Sequence, residues 1–326
     1  MLRLVLLILI MTLLPGCYYL QAAKGQWDLT RKREPIAEIL AAKDTSPELA
    51  ARLRLVQEAR QFSIEELGLP ANNSYRTYAD IERDYVVCNV FAAPEFSMDA
   101  KTWCFPVAGC VSYRGYFSRE DAQRQARRLA DKGYDVATGG VAAYSTLGKF
   151  DDPLLSTMMN WDDTRLVGVL FHELAHQALY VKGDSAFNES FATAVEEYGV
   201  RRWLETHESA AEVERYRQRR QLRQDLMALV AAARDTLQAV YGSAASDDEK
   251  RAVKSKRLVK LAADVADLLE ASGRRPTSWL SGELNNARLV SMTLYEGRLP
   301  EFRALLDKCE QSIQCFYAEA RDLAGR

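Results

Sequence analysis

The chain opens on an almost unbroken apolar run, Leu4 to Leu14, behind a single charge at Arg3. Eleven positions are too few to cross a hydrocarbon core of ~30 Å as a helix. Further on the apolar spacing becomes helical: Ile36, Ile39 and Leu40, then Leu49, Leu53, Val56 and Ala59, fall mostly three or four apart within residues 35–67. Gly68-Leu69-Pro70-Ala71-Asn72-Asn73 predicts the loop that follows. From Tyr85 the run Tyr-Val-Val-Cys-Asn-Val-Phe-Ala-Ala predicts a buried strand. Ser118, with Asp121 three residues on, opens a polar helix to about Lys132, which Gly133 closes. Tyr134 to Gly148 alternates small and apolar residues between glycines, as in a second strand that something approaches closely. Beyond Asn160 the pattern is nearly continuous helix, with two long helices over residues 209–271 broken near Gly242-Ser243. The charged run Arg215 to Arg223 fits a solvated helix face or a strip facing anionic lipid.

These elements predict an α+β fold, helix-dominated, with a small sheet in the N-terminal half. We expect one domain over residues 17–326, in which 17–160 hold the sheet and 161–326 are helical. With 326 residues, 48% hydrophobic and 27% charged, the chain can bury one large core or two modest ones, which excludes a disordered or disulfide-stapled miniature. A formal charge of -2 leaves no excess of cations for a phosphate backbone, so nucleic acid is not an expected partner.

There are three histidines, and two of them stand four apart in Phe171-His172-Glu173-Leu174-Ala175-His176. On a helix, positions i and i+4 share a face, so both imidazoles of H-E-x-x-H can meet one metal ion with the glutamate beside them. From this composition roughly four chance matches per thousand such chains are expected, so coincidence explains the motif poorly. A catalytic zinc keeps three protein ligands and one open position, which leaves the third ligand to find. A metzincin would need Gly and His where Leu179 and Lys182 stand. His207 lies among Glu205, Thr206 and Glu208, as a solvated residue would. Glu189 is the better candidate. A first helix ending at Gly183 and a second capped by Asp184 or Ser185 would form a hairpin returning Glu189 over His172 and His176.

The segment Phe187-Asn188-Glu189-Ser190-Phe191-Ala192-Thr193-Ala194-Val195-Glu196 resembles the N-E-G-F-A-[ST]-x-x-E helix of gluzincin aminopeptidases of the aminopeptidase N type. The resemblance implies Zn²⁺ held by His172, His176 and Glu189, with Glu173 as general base. The twelve-residue spacer from His176 to Glu189 is shorter than in that family. A longer resemblance, over almost the whole chain after Cys17, is to bacterial lipoproteins described as predicted aminopeptidases. It is carried by Trp103 to Cys110, Tyr113 to Phe117, Ala143 to Gly148, and Phe171 to Glu189. It implies a gluzincin-like peptidase with peptide substrates. Glu196, two helical turns beyond Glu189, could orient a ligand histidine or, with Glu197, hold a substrate amine. Gly139 to Tyr144 is a candidate substrate-binding edge, and Tyr144 and Tyr295 are candidate oxyanion donors. The adjacent Asn285 and Asn286 suggest a buried polar network.

Leu14-Pro15-Gly16-Cys17 resembles the cleavage site of a bacterial lipoprotein signal, which makes 1–16 a signal peptide and Cys17 the lipidated N-terminus. Tyr18 is not the Asp that retains such proteins at the inner membrane, so the expected address is the outer membrane, facing the periplasm. In that oxidising compartment the spacing of the other cysteines suggests pairs Cys104 with Cys110 and Cys309 with Cys315, leaving Cys88 unpaired. The competing function is a lipid-anchored envelope binding or assembly protein that keeps a zinc hairpin only for stability. A structural zinc has no need of a base such as Glu173.

Overall fold

The computed structural model describes residues 16–106, 109–143, 145–274, 284–293 and 297–325, and of Gly16 and Cys17 the helical backbone alone. The apolar run before Gly16, the Cys17 side chain, Tyr144 and Tyr295 lie outside the described residues. Helices α1 (Gly16–Arg31), α2 (Ile36–Ala41) and α3 (Pro47–Glu65) carry the first third of the chain, with strand β1 (Arg33–Pro35) between the first two. The helical spacing over 35–67 thus belongs to two helices. Ser46 caps the second by accepting from the Leu49 N–H, and Pro47 at its first position cannot continue a helix from before it.

Among the described residues, eight strands form three small sheets. β2 (Thr77–Ala79) pairs antiparallel with β1 and parallel with β8 (Leu154–Leu155). The central sheet has β3 (Val87–Pro94) between β6 (Arg114–Tyr116) and β7 (Tyr134–Val141), both antiparallel to it. β4 (Trp103–Phe105) and β5 (Gly109–Val111) make a separate hairpin. The strand expected from Tyr134 to Gly148 stops at Val141, because Ser145 and Thr146 turn inward to bond a buried carboxylate instead of a ladder. Alternation on β3 sorts its residues: Cys88, Val90 and Ala92 pack under α4 (Arg119–Ala130), while Phe91 and Ala93 face α9 (Asn286–Thr293). The expected polar network stands there. Buried Asn286 donates to the carbonyls of Pro94, Glu95 and Ser97 and accepts from the Tyr241 hydroxyl.

Beyond Asp162 the described residues form the helices α5 (Asp163–Ala178), α6 (Ser185–His207), α7 (Ala210–Tyr241), α8 (Asp247–Ala271), α9, α10 (Leu299–Lys308) and α11 (Ile313–Ala324). The largest core joins α3, α5, α6, α10 and α11 with Leu29 of α1, and a second core lies among α7, α8 and α9. Phe191 of α6 stacks on Phe316 of α11, with centroids 5.7 Å apart, and meets Phe302 of α10 edge-on. Burying such rings contributes about 2–3 kcal/mol each and fixes the rotation of α6 about its axis. Among the described residues no helix is long and apolar enough to cross a membrane. Cys104–Cys110 and Cys309–Cys315 are disulfides, and Cys88 is free and buried.

Candidate metal centre

α5 is built to present one polar stripe on an otherwise buried helix. Asp162 caps it by accepting from the Arg165 N–H, and Leu166, Val167, Leu170, Phe171 and Leu174 sit in the core. That packing turns His172, Glu173 and His176 toward a cavity of about 320 Å³. The helix stops at Ala178, five residues before the expected Gly183, because Leu179 is extended. The cause lies in the next helix. Asn188 takes both main-chain groups of Val181, accepting from its N–H at 2.7 Å and donating to its C=O at 2.8 Å. Those bonds replace the helical ones the loop gives up. Gly183, at φ +87°, turns the loop, and Asp184 then caps α6 by accepting from the Phe187 N–H.

The antiparallel return brings Glu189 over both histidines. His172 Nε2 lies 3.2 Å from His176 Nε2 and 3.3 Å from Glu189 Oε2, and His176 Nε2 lies 3.7 Å from the same oxygen. Ligand atoms about 2.0–2.1 Å from one tetrahedral zinc stand about 3.3–3.4 Å apart, so this triangle has the size such an ion requires. All three residues are largely buried, and together they could hold a metal ion. Two imidazole nitrogens facing each other at this distance repel unless a cation or a proton lies between them.

Behind His172, Glu196 Oε2 lies 3.1 Å from Nδ1, which holds the ring so that Nε2 faces inward. Burial opposes charge on His172, but its bonds to Glu189 and Glu196 prevail and raise it to about 10. Burial likewise pushes Glu189 up, and its bonds to the two imidazoles bring it down to about 2. In the metal-free site a proton thus takes the place of the cation. Burial raises the Glu173 carboxyl, partly offset by the two imidazoles. Glu173 lines the cavity and takes no part in the triangle. Glu197 does not reach the site: Arg303 grips it with two nitrogens, at 2.7 and 3.0 Å, and Arg220 adds a third bond. His207 also lies apart, its half-buried ring stacked 3.8 Å from that of Trp203.

The cavity walls come from distant parts of the chain. The expected substrate edge enters in part: β7 is an edge strand of its sheet, and Val141 and Ala143 line the cavity, followed by Ser145 and Leu147. This wall is anchored by buried Asp152, which accepts from the Thr146 N–H at 3.0 Å and the Ser145 hydroxyl at 3.3 Å. Gln177, next to His176, donates to both Asp152 and Ser74. Sequence reading missed Asp152, together with Asn89, Tyr113 and Tyr180 of the cavity lining. The signal for Asn89 was a lone amide within an apolar strand. Tyr75 was missed too: its backbone is left-handed at φ +63°, and burial beside Glu173 and Asp152 pushes its phenol well up. On the near side, Tyr18, Gln21 and Ala22 of α1 complete the lining, directly after Cys17.

No curated protein and no solved structure matches the chain. A family model does match, over residues 17–326, and so covers every residue of the centre. The chain belongs to the Aminopep family, whose description reads "Putative aminopeptidase".

Proposed function

We propose that the protein is a zinc aminopeptidase, with His172, His176 and Glu189 as metal ligands and Glu173 as general base. The triangle of donor atoms, 3.2, 3.3 and 3.7 Å on its sides, carries this reading. A zinc ion bound there would lower the pKa of a water molecule and polarise a substrate carbonyl. Glu173, buried at the cavity wall, takes the proton of the attacking water and passes it to the leaving amine. Glu196 fixes the His172 tautomer that leaves Nε2 free to coordinate. Val141, Ala143, Ser145 and Leu147 offer the substrate a wall beside Glu173, and Tyr144, outside the described residues, is the proposed oxyanion donor by its place in the sequence. Tyr295 is the alternative donor.

We further propose that Cys17 is lipidated and tethers the protein to the outer membrane, facing the periplasm. The chain enters the cavity wall one residue later, at Tyr18, so the anchor would hold the cavity near the bilayer. Labelling with a radioactive fatty acid, lost in Cys17→Ser, tests the anchor.

The deciding experiment for activity compares the wild type with Glu173→Gln on aminoacyl anilides. One zinc per chain in both proteins, with turnover lower by about 10²-fold or more in the variant, is the expected result. Zinc bound equally in both with no turnover in either favours the structural-zinc alternative.

A further inference from the structure

The sheet face that walls the metal cavity also leads into a second concavity of different chemistry. On β3, Val87, Asn89 and Phe91 project to one side. The first two line the metal cavity, and Phe91 lines a groove of about 440 Å³. On the paired edge strand β7, Val141 borders both. Gly139, two residues along on the same face, has nothing within 4 Å of the place a Cβ would occupy. Metal cavity and groove therefore adjoin across Val141, and no side chain stands between them at Gly139.

Across from the strand, α7 and α9 supply an apolar wall that includes Leu226, Met227 and Met292. Four guanidinium groups rim it: Arg219, Arg223, Arg274 and Arg288. No acidic side chain lines the groove among the described residues. Neither Arg219 nor Arg288 meets a carboxylate partner among them, and the buried Nε of Arg288 has no hydrogen-bond partner. On the same helix as Arg219, Arg215, Arg217 and Arg220 pair with Glu212, Glu214 and Glu197. Arg219 and Arg288, at the rim of an apolar groove, are suited to a carboxylate, which a planar guanidinium binds with two parallel bonds.

We propose that this groove is the distal part of the substrate site, and that Arg219 and Arg288 take the free C-terminal carboxylate of a short peptide. The proposal rests on the aminopeptidase reading: a substrate with its amino end at the metal sends its carboxylate end away from it. Val87 to Phe91 spans four strand steps, about 13 Å. A peptide of about three to five residues bridges that span. Beyond Val136, whose C=O accepts from the Asn285 amide, the outer edge of β7 can pair with its main chain, and the two methionines adapt to varied side chains, so length and a terminal charge are read in preference to sequence.

The test uses the zinc-loaded, full mature chain and peptides beginning Leu-Ala, three to ten residues long, each as free acid and as C-terminal amide. At three to five residues the acid should show a KM about tenfold or more below that of the amide, with similar kcat. The preference should fade in longer peptides. Arg288→Gln and Arg219→Gln should bring the acid-to-amide ratio near one, and Arg288→Lys should keep part of it. Melting temperature and zinc content report whether each variant folds. Equal KM for acid and amide at every length, in a protein that cleaves both, overturns the proposal and leaves the peptidase reading intact. If neither form is cleaved, the peptidase reading falls, and direct binding decides the groove. Affinity at least about tenfold higher for the acid, lost in Arg288→Gln, supports the carboxylate site, and equal affinity overturns it.

Discussion

Glu196 stands 3.1 Å behind His172, and the opposite nitrogen of that ring turns to Glu189 at 3.3 Å. The two glutamates are seven residues apart on α6, so one helix face both supplies the proposed ligand and steers the histidine beside it. Such outer partners typically contribute 10- to 100-fold to metal affinity. Glu196→Ala should therefore weaken zinc binding by about that factor, and Glu196→Gln, which can still accept a bond, by less. Chelator competition measures it. An unchanged zinc affinity in Glu196→Ala would remove the orienting role.

Metal uptake should release a proton from this centre. With His172 at about 10 and Glu189 at about 2, the metal-free site is an imidazolium–carboxylate pair at neutral pH. Zinc must displace the proton on His172, so its affinity should rise about tenfold per pH unit from pH 6 to 8. Titration calorimetry in buffers of different ionisation enthalpy counts the proton. The same pair bears on the stability of the metal-free fold. The raised His172 value gives stability that is complete below about 6.5 and lost as pH climbs through about 10. The lowered Glu189 value gives stability present above about 4.5 and lost as pH falls toward 2. Metal-free protein should melt highest between about 4.5 and 6.5 as far as this pair decides it, and zinc should shift that optimum upward.

The grouping of His172, His176 and Glu189 was legible because it is local: a four-residue helical period, a capping Asp184 and a helix that returns. The helix-dominated α+β class followed from the same periodicities. Elements decided from a distance were not legible. α5 ends at Ala178 because the Asn188 side chain, from the next helix, satisfies the backbone of Val181. β1, β2 and β8 hold two or three residues each, too few for alternation to register. Glu197 looks as available as Glu196 in the sequence, and only the arrival of Arg220 and Arg303 from other helices removes it. Asn89 and Asp152 are polar residues whose meaning depends on which walls close over them.

Gly199 sits inside α6, where alanine has the better intrinsic helix propensity by about 0.8–1 kcal/mol. A Cβ there would stand 2.7 Å from Leu67 Cδ1 and 2.7 Å from the ring of Phe171, the residue before His172. Overpacking of this kind costs about 1–3 kcal/mol, so close approach of α5 and α6 outweighs propensity. Gly199→Ala should lower the melting temperature by a few degrees and loosen zinc binding, since the displaced ring adjoins a ligand. A variant more stable than wild type would show that the helices can part without cost.

The two disulfides close loops of equal length, six residues apart in each case, yet they should differ in effect. By loop entropy each contributes about 2 kcal/mol, so Cys104→Ser/Cys110→Ser and Cys309→Ser/Cys315→Ser should lower the melting temperature by similar amounts. The first bond clamps β4 to β5, a hairpin that supplies Phe105 and Val111 to the cavity wall. Gly109, at φ +78° in that hairpin, lies so close to the loop after α5 that a Cβ would stand 2.7 Å from the Gly183 nitrogen. That loop carries Val181, which Asn188 holds beside Glu189. The second bond joins the end of α10 to the start of α11, and neither cysteine borders the cavity. Removing Cys104–Cys110 should therefore raise the KM for peptides and weaken zinc, and removing Cys309–Cys315 should leave both close to wild type. Equal losses from the two pairs would mean that the hairpin does not brace the metal loop, and that both bonds act through global stability alone.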